Sequence, residues 1–241
     1  MLVILGLLTG GILAGQSLIR AAELRAVSTE YNRYVTATQT FRDKYFAVPG
    51  DMNNATSFWG KDTTNCNGHT GSAGTPGTCN GDGNAQLAWA GGAASTGESM
   101  QSWKQLALAG LVEGSYSGIS TACSFCVALG TTIPSSKLGP AGWTYSGMGN
   151  VPAGNPQWFE GNYSANALFF GVVGNYTSGA ALKPEEAWNI DTKMDDGRPA
   201  LGKVRAWIQT FHPNCTDSTA NTANYTLTQS AIACALVLNM E

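Results

Sequence analysis

The sequence predicts an α+β fold, with a long N-terminal helix packed on an antiparallel β-sheet head that carries loop-rich, disulfide-bonded insertions. Three observations predict it. Residues 20–46 contain no Gly or Pro and repeat apolar residues at helical spacing. Short apolar runs at Ala167–Val173, Val204–Phe211 and Tyr225–Leu238 read as strands. The six cysteines fall in three close pairs within a chain rich in turn-forming residues.

The helix comes first. Met1 to Ile19 (MLVILGLLTGGILAGQSLI) carries no charge. Nineteen helical residues rise about 28 Å, close to the hydrocarbon thickness of a bilayer. The segment is therefore expected to span a membrane. A cleaved secretory signal fits less well, because no basic segment precedes the apolar run and the first basic residue, Arg20, follows it. Gly6 and Gly10, and Gly11 and Gly15, stand four apart. Small residues at that spacing let helix backbones approach closely. Leu2, Ile4, Leu5, Leu8, Ile12 and Leu13 supply the apolar surface around Gly6, Gly10, Gly11 and Gly15. In residues 20–46, Leu24, Val27, Tyr31, Tyr34, Thr38, Phe41 and Tyr45 form one stripe. Arg20, Arg25, Glu30, Arg33, Arg42 and Lys44 lie mostly off it. The helix is expected to run unbroken from one stretch into the other, stopping before Pro49-Gly50. The chain thus divides into an N-terminal helix (1–46) and a globular extracellular head (47–241).

Within the head, Glu98–Val112 reads as a helix with Trp103, Leu106, Ala107 and Leu111 on one side. Pro184-Glu-Glu starts another, since Pro suits the first turn and acids complement the helix dipole. The head is poor in charge. Asp, Glu, Lys and Arg make up 12% of the chain, against about 25% in an average soluble domain. Gly, Thr, Ser and Asn number 30, 24, 18 and 17, more than a third of the 241 residues. The net charge of −3 argues against a nucleic-acid partner, which calls for a basic face. Three disulfides in an oxidising compartment are expected, paired by proximity as Cys66/Cys79, Cys123/Cys126 and Cys215/Cys234. A zinc site is disfavoured because only one Cys-x-x-Cys occurs, without a second pair at ribbon spacing.

Two loops present oxygen ligands. Asn80-Gly-Asp82-Gly-Asn84 alternates oxygen side chains as the opening of a calcium loop does, although no acid stands at the twelfth position. Asp191, Asp195 and Asp196 form the second set, interrupted by Lys193. The same residues also suit turns built on their own backbone. No nucleophile elbow, phosphate loop or zinc-protease helix occurs. His69 and His212 are isolated, so an enzyme is not expected. The seven tryptophans are expected mainly in core and loop packing, with aromatic platforms for sugars as the competing use. Five Asn-x-Ser/Thr triplets (Asn54, Asn162, Asn175, Asn214, Asn224) are explained by the abundance of these residues.

The long helix, its exit and the late cysteine pair resemble type IV pilins and the pseudopilins of type II secretion. The stretch FRDKYFAVPGDMNNA (41–55) carries the closest likeness, with WKQLALAGL (103–111), WNIDTKMDDGRP (188–199) and GKVRA (202–206). The resemblance implies a structural subunit of an extracellular filament, held in the bacterial inner membrane before assembly. Its implied partners are copies of itself in a helical filament and the pilus or secretion assembly machinery. The size of the head favours a pilus over a secretion pseudopilus, and an adhesin-type minor pilin is a further alternative. Likeness to calcium-dependent major pseudopilins favours calcium at the two oxygen-rich loops. Family precursors carry a basic leader ending in Gly, then a mature helix opened by a Phe-like residue and a Glu. These features are absent here and Met1 falls inside the apolar run, so the true start is expected upstream. Leader cleavage and N-methylation accordingly fall on no residue of this sequence.

Overall fold

The computed structural model describes residues 2–63, 66, 77–88, 97–120, 126–208 and 210–240, with the side chains of 2–10 and 13 excepted. It is α+β. Helix α1 (Leu2–Tyr45) is followed by a short α2 (Thr56–Trp59) and α3 (Glu98–Leu108). Strands β1 (Ala141–Gly147), β2 (Asn150–Val151), β3 (Gly161–Asn162) and β4 (Asn166–Val172) come next, then α4 (Pro184–Met194), β5 (Val204–Ala206) and β6 (Leu236–Asn239). The main sheet has the order β1-β4-β6-β5 and every neighbouring pair is antiparallel. Strands β2 and β3 form a separate antiparallel ribbon.

The 44 residues of α1 rise about 66 Å at 1.5 Å each. The expected stripe is the buried one. Val27, Tyr31, Tyr34 and Phe41 are fully buried, Thr38 is buried, and Leu24 and Tyr45 pack against the same core. The helix ends where Phe46 takes the left-handed conformation (φ 54°), its N–H still bonded to Arg42 O at 2.8 Å. The following turn brings Gly50 (φ +94°) under α3, where a Cβ would stand 2.3 Å from Glu98 O. Only a residue without a side chain fits that approach.

Period-two alternation in β4 sorts the core into two layers. Leu168 and Phe170 face α1, α3 and α4 together with Trp143, Tyr145, Leu236 and Leu238. Ala167 and Phe169 face the other way, with Trp207, Ala235, Val237 and Tyr163. Helix α3 contributes Met100, Trp103 and Leu106 to the first layer, and α4 contributes Ala187 and Ile190. Tyr34 meets Trp103 and Trp143 edge-on, at centroid distances of 4.8 and 5.8 Å.

Several elements differ from the sequence reading. Helix α3 stops at Leu108, and Leu111 packs from the turn beyond it. The expected strand Val204–Phe211 is strand only to Ala206, because the N–H groups of Phe211 and His212 turn back onto Ile208 O ahead of Pro213. Within Tyr225–Leu238 only Leu236 onward joins the sheet. Tyr225 bridges to Thr216 and Cys234 to Leu182, so the segment changes partner along its length. Strand β1 was not anticipated: its glycines and hydroxyls hide Trp143 and Tyr145 as a strand pattern. Glu30, placed off the stripe, is buried.

Two of the three expected disulfides are seen, Cys66–Cys79 and Cys215–Cys234. Cys126 is also disulfide-bonded, and its expected partner Cys123 lies outside the described residues. Among the described residues, no helix is long and apolar enough to cross a membrane. The expected span, 1–19, falls largely on Met1 and on side chains outside the description.

Candidate functional site

The residues singled out for assembly lie at the start of α1. Leu2, Ile4, Leu5, Gly6, Leu8, Gly10 and Leu13 are helical in backbone, with their side chains outside the description. Beyond them, Ile12, Leu18 and Ile19 are 55%, 71% and 62% exposed. A Cβ added at Gly11 or Gly15 would meet nothing within 4 Å. The helix therefore leaves Ile12, Leu18 and Ile19 uncovered. From Ile19 to Arg33 it borders an open groove of about 520 Å³ lined by Ala22, Ala26, Thr29 and Lys137 among others.

Polar contacts fix where α1 meets the head. The Arg20 guanidinium grips Glu186 of α4 through two bonds, Nε to Oε1 at 2.7 Å and Nη2 to Oε2 at 2.6 Å, and reaches Ala181 O at 3.3 Å. Burial pushes the Glu186 carboxyl up, but the Arg20 bonds and the Lys183 N–H outweigh it and hold the group below its ordinary value. Nearly three turns further on, Glu30 accepts three bonds, from Ser136 Oγ (2.7 Å), Lys137 N (2.9 Å) and Trp143 Nε1 (2.8 Å). The Tyr31 hydroxyl donates to Asn239 O at the edge of β6. Thr38 Oγ1 and the Tyr145 hydroxyl share a bond of 2.6 Å. Sequence reasoning missed Glu30, because its three partners lie more than a hundred residues away.

The first oxygen-rich loop is organised differently from its sequence pattern. Asn80 Oδ1 accepts the Thr56 N–H, and Asn84 Oδ1 accepts the Gln86 N–H. Asp82 converges instead with Asp51 and Glu98, which the sequence reading did not select. Asp51 accepts the N–H groups of Gly83, Asn84 and Ala85 at 2.7, 3.2 and 2.8 Å. Glu98 accepts those of Asp82 and Ala88 at 2.9 and 2.8 Å. Both oxygens of Asp82 accept from Asn84. An all-oxygen set is the kind that suits calcium. Here, each of the six carboxylate oxygens already accepts a hydrogen bond from the chain, so the cluster ties loop 82–88 to the start of α3. Burial raises the Asp51 and Glu98 carboxyls above their ordinary values, and the neighbouring acids add to the rise.

The second set does come together, with Asp191 buried and Asp195 and Asp196 exposed. Asp191 accepts the Gly197 N–H (3.0 Å) and the Tyr225 hydroxyl (2.9 Å). Burial pushes its carboxyl up to about 7 against these two donors, helped by the charges of Asp196 and Asp195. Asp195 Oδ2 accepts the N–H groups of Lys203 and Val204, and Asp196 Oδ1 that of Arg198. The three acids therefore organise the turn from α4 into β5.

His212 is buried, bonded through Nε2 to Ser178 O at 2.6 Å, and burial holds its pKa below the ordinary value. His69 lies outside the described residues. Trp103, Trp143 and Trp207 are core residues, as expected, whereas Trp188 is 37% exposed and Trp158 is half-buried. No family model matches the chain, and neither a curated protein nor a solved structure matches it.

Proposed function

We propose that this chain is a structural subunit of an extracellular filament of the type IV pilus kind, assembling through its N-terminal helix. The supporting observation is the division of α1. Downstream of Arg20, the helix is bonded and packed into the head. Upstream, Ile12, Leu18 and Ile19 are left exposed on a continuous helix. A soluble monomer gains nothing from a rigid helix with uncovered aliphatic side chains. A subunit that passes from a membrane to a filament axis gains the burial of that surface twice, at about 25 cal/mol per Å² of apolar area. The reading asks for no enzymatic chemistry and no cofactor, and its partners are further copies of the chain and the assembly machinery.

The test is electron microscopy of sheared cells expressing the protein from its own locus, with antibody labelling of the head. Labelled filaments are expected, and Leu18→Asp with Ile19→Asp should abolish them while the head stays folded. Labelled protein recovered only as monomer would overturn the reading. Neighbouring genes for retraction or for a secretin would separate a pilus from a secretion pseudopilus.

A further inference from the structure

On the head, away from α1, three loops enclose a groove of about 440 Å³, lined by Asn155, Trp158, Glu160, Ile208, Thr210 and Asn221 among others. That volume falls within the range of small-molecule sites, about 300–1,000 Å³. We infer that this groove is a binding site for a neutral saccharide, with Trp158 as the stacking platform and Glu160, Asn155 and Asn221 as hydroxyl-reading groups.

The groove is built on a rigid base. Its loops carry Phe159 and Ile208, which pack beneath it with Ala200 and Ala223 in one buried cluster. Ile208 N–H bonds to Gln157 O at 3.0 Å, joining two of the walls. The third wall is pinned by Asp217, which accepts Asn224 N–H at 2.8 Å, and by Ala223 N–H bonded to Ala220 O at 2.9 Å. Trp158 is backed by Trp207 and Phe169, at centroid distances of 5.6 and 6.1 Å. It is half-buried, so one side is fixed in the core while the remainder lines the groove. An indole held this way offers a large apolar surface already in place, without an ordering cost on binding.

The polar lining selects the ligand class. Asn155 Oδ1 is used by the Gln157 and Trp158 N–H groups at 2.8 and 3.0 Å, and its amide nitrogen takes no part in that turn. The amides of Asn155 and Asn221, the hydroxyls of Thr210 and Thr219 and the carboxylate of Glu160 supply both donors and acceptors. A sugar presents the complement: vicinal hydroxyls that donate and accept, and an apolar ring face. Among the described residues, no Lys or Arg lines the groove and one carboxylate does, so phosphorylated and acidic ligands are disfavoured. Phe169 and Trp207 belong to the sheet layer that faces away from α1, so the groove lies on the far side from the helix and does not depend on the assembly reading.

The test uses the full chain in a zwitterionic, sugar-free detergent, titrated with galactose, N-acetylglucosamine, mannose and lactose. Binding is followed by tryptophan fluorescence and by calorimetry. At least one of these sugars is expected to bind with a Kd of about 1 mM or tighter, with little change on adding salt. Glu160→Ala and Asn221→Ala, at exposed positions, should each weaken binding about tenfold or more with the near-ultraviolet circular dichroism unchanged. Trp158→Phe, which keeps a ring in the core, should weaken it as well. The inference is overturned if none of the four sugars binds at about 10 mM. It is also overturned if binding survives the Glu160→Ala/Asn221→Ala double variant undiminished.

Discussion

Replacing Glu30 by Ala tests how the long helix is fastened to the head. Glu30 is a buried carboxylate on α1 whose two oxygens take three donors from β1 and the segment entering it: Ser136 Oγ, Lys137 N and Trp143 Nε1. Hydrogen bonds to a charged group contribute roughly 1.5–3 kcal/mol each, and a stranded buried donor costs about 1–3. The Ser136 hydroxyl can rotate to another acceptor. The Trp143 indole cannot, because the residue is fully buried in a packed core. Against these losses stands relief of the carboxylate's own burial. The balance is a loss of about 3–5 kcal/mol, comparable to breaking a buried ion pair. Glu30→Gln should lose about half as much, since its carbonyl oxygen retains two lone pairs while its NH2 meets a donor. Urea unfolding of the full chain, followed by tryptophan fluorescence, reads the difference. With a slope of about 2–3 kcal/mol per molar, the Ala variant's midpoint should fall by about 1–2 M. A loss below about 1 kcal/mol, or a Gln variant worse than the Ala variant, would refute the fastening role.

Three further outcomes follow from the same contacts. Burial pushes the Asp191 carboxyl up to about 7, from an ordinary value of 3.8, so near neutral pH the folded chain keeps a proton that the unfolded chain has lost. Its contribution is therefore full below the unfolded pKa and is lost as pH rises through about 7, and Asp191→Asn should flatten the decline of melting temperature between about pH 4 and pH 7. Glu186 has the opposite sign: its folded pKa is lowered, so the Arg20 bond helps above the unfolded value and is lost as pH falls through the folded one. Arg20→Ala should cost about 1 kcal/mol at neutral pH, because the pair is partly exposed, and less in acid, read by the same urea titration. Replacing both Cys215 and Cys234 by Ala opens a loop of sequence separation 19 and should cost about 3 kcal/mol, seen as a lower melting temperature by calorimetry.

Features encoded within a single segment were legible in the sequence. The stripe from Leu24 to Tyr45, the Trp103 face of α3, the Pro184 start of α4 and the Cys215/Cys234 bridge rest on spacing alone, and the structure contains them. Features that need two distant segments were hidden. Asp51 and Glu98 are 47 positions apart and meet only because Gly50 lets the exit of α1 slide under α3. Strand β1 lacks a β-branched run, and it becomes a strand because β4 pairs with all seven of its residues. The groove at Trp158 is formed by loops some fifty residues apart, which only the small cluster of Phe159, Ile208 and Ala223 brings side by side. Spacing alone puts Glu30 off the stripe, and its burial depends on distant Trp143, which supplies a donor that makes it tolerable.

These contacts also decide which part of α1 the head leaves uncovered. The head holds the helix at Arg20, Glu30, Tyr31 and Thr38, an axial span of about 27 Å. Over that length, the stripe is consumed by the core, and a second helix could reach it only by displacing Val27, Tyr31 and Tyr34 from fully buried positions. Among the described residues upstream of Arg20, Ile12, Leu18 and Ile19 are exposed, and Gly11 and Gly15 leave the backbone open to close approach. On the filament reading proposed above, helix-mediated assembly begins upstream of the Arg20–Glu186 clasp, where Ile12, Leu18 and Ile19 are exposed. If the clasp sets that boundary, Arg20→Ala should loosen α1 against α4 and lengthen the free helix by about a turn, to the next contact with the head. Hydrogen exchange at Ala21–Leu24 would register that loosening, while protection around Glu30 would stay as it is.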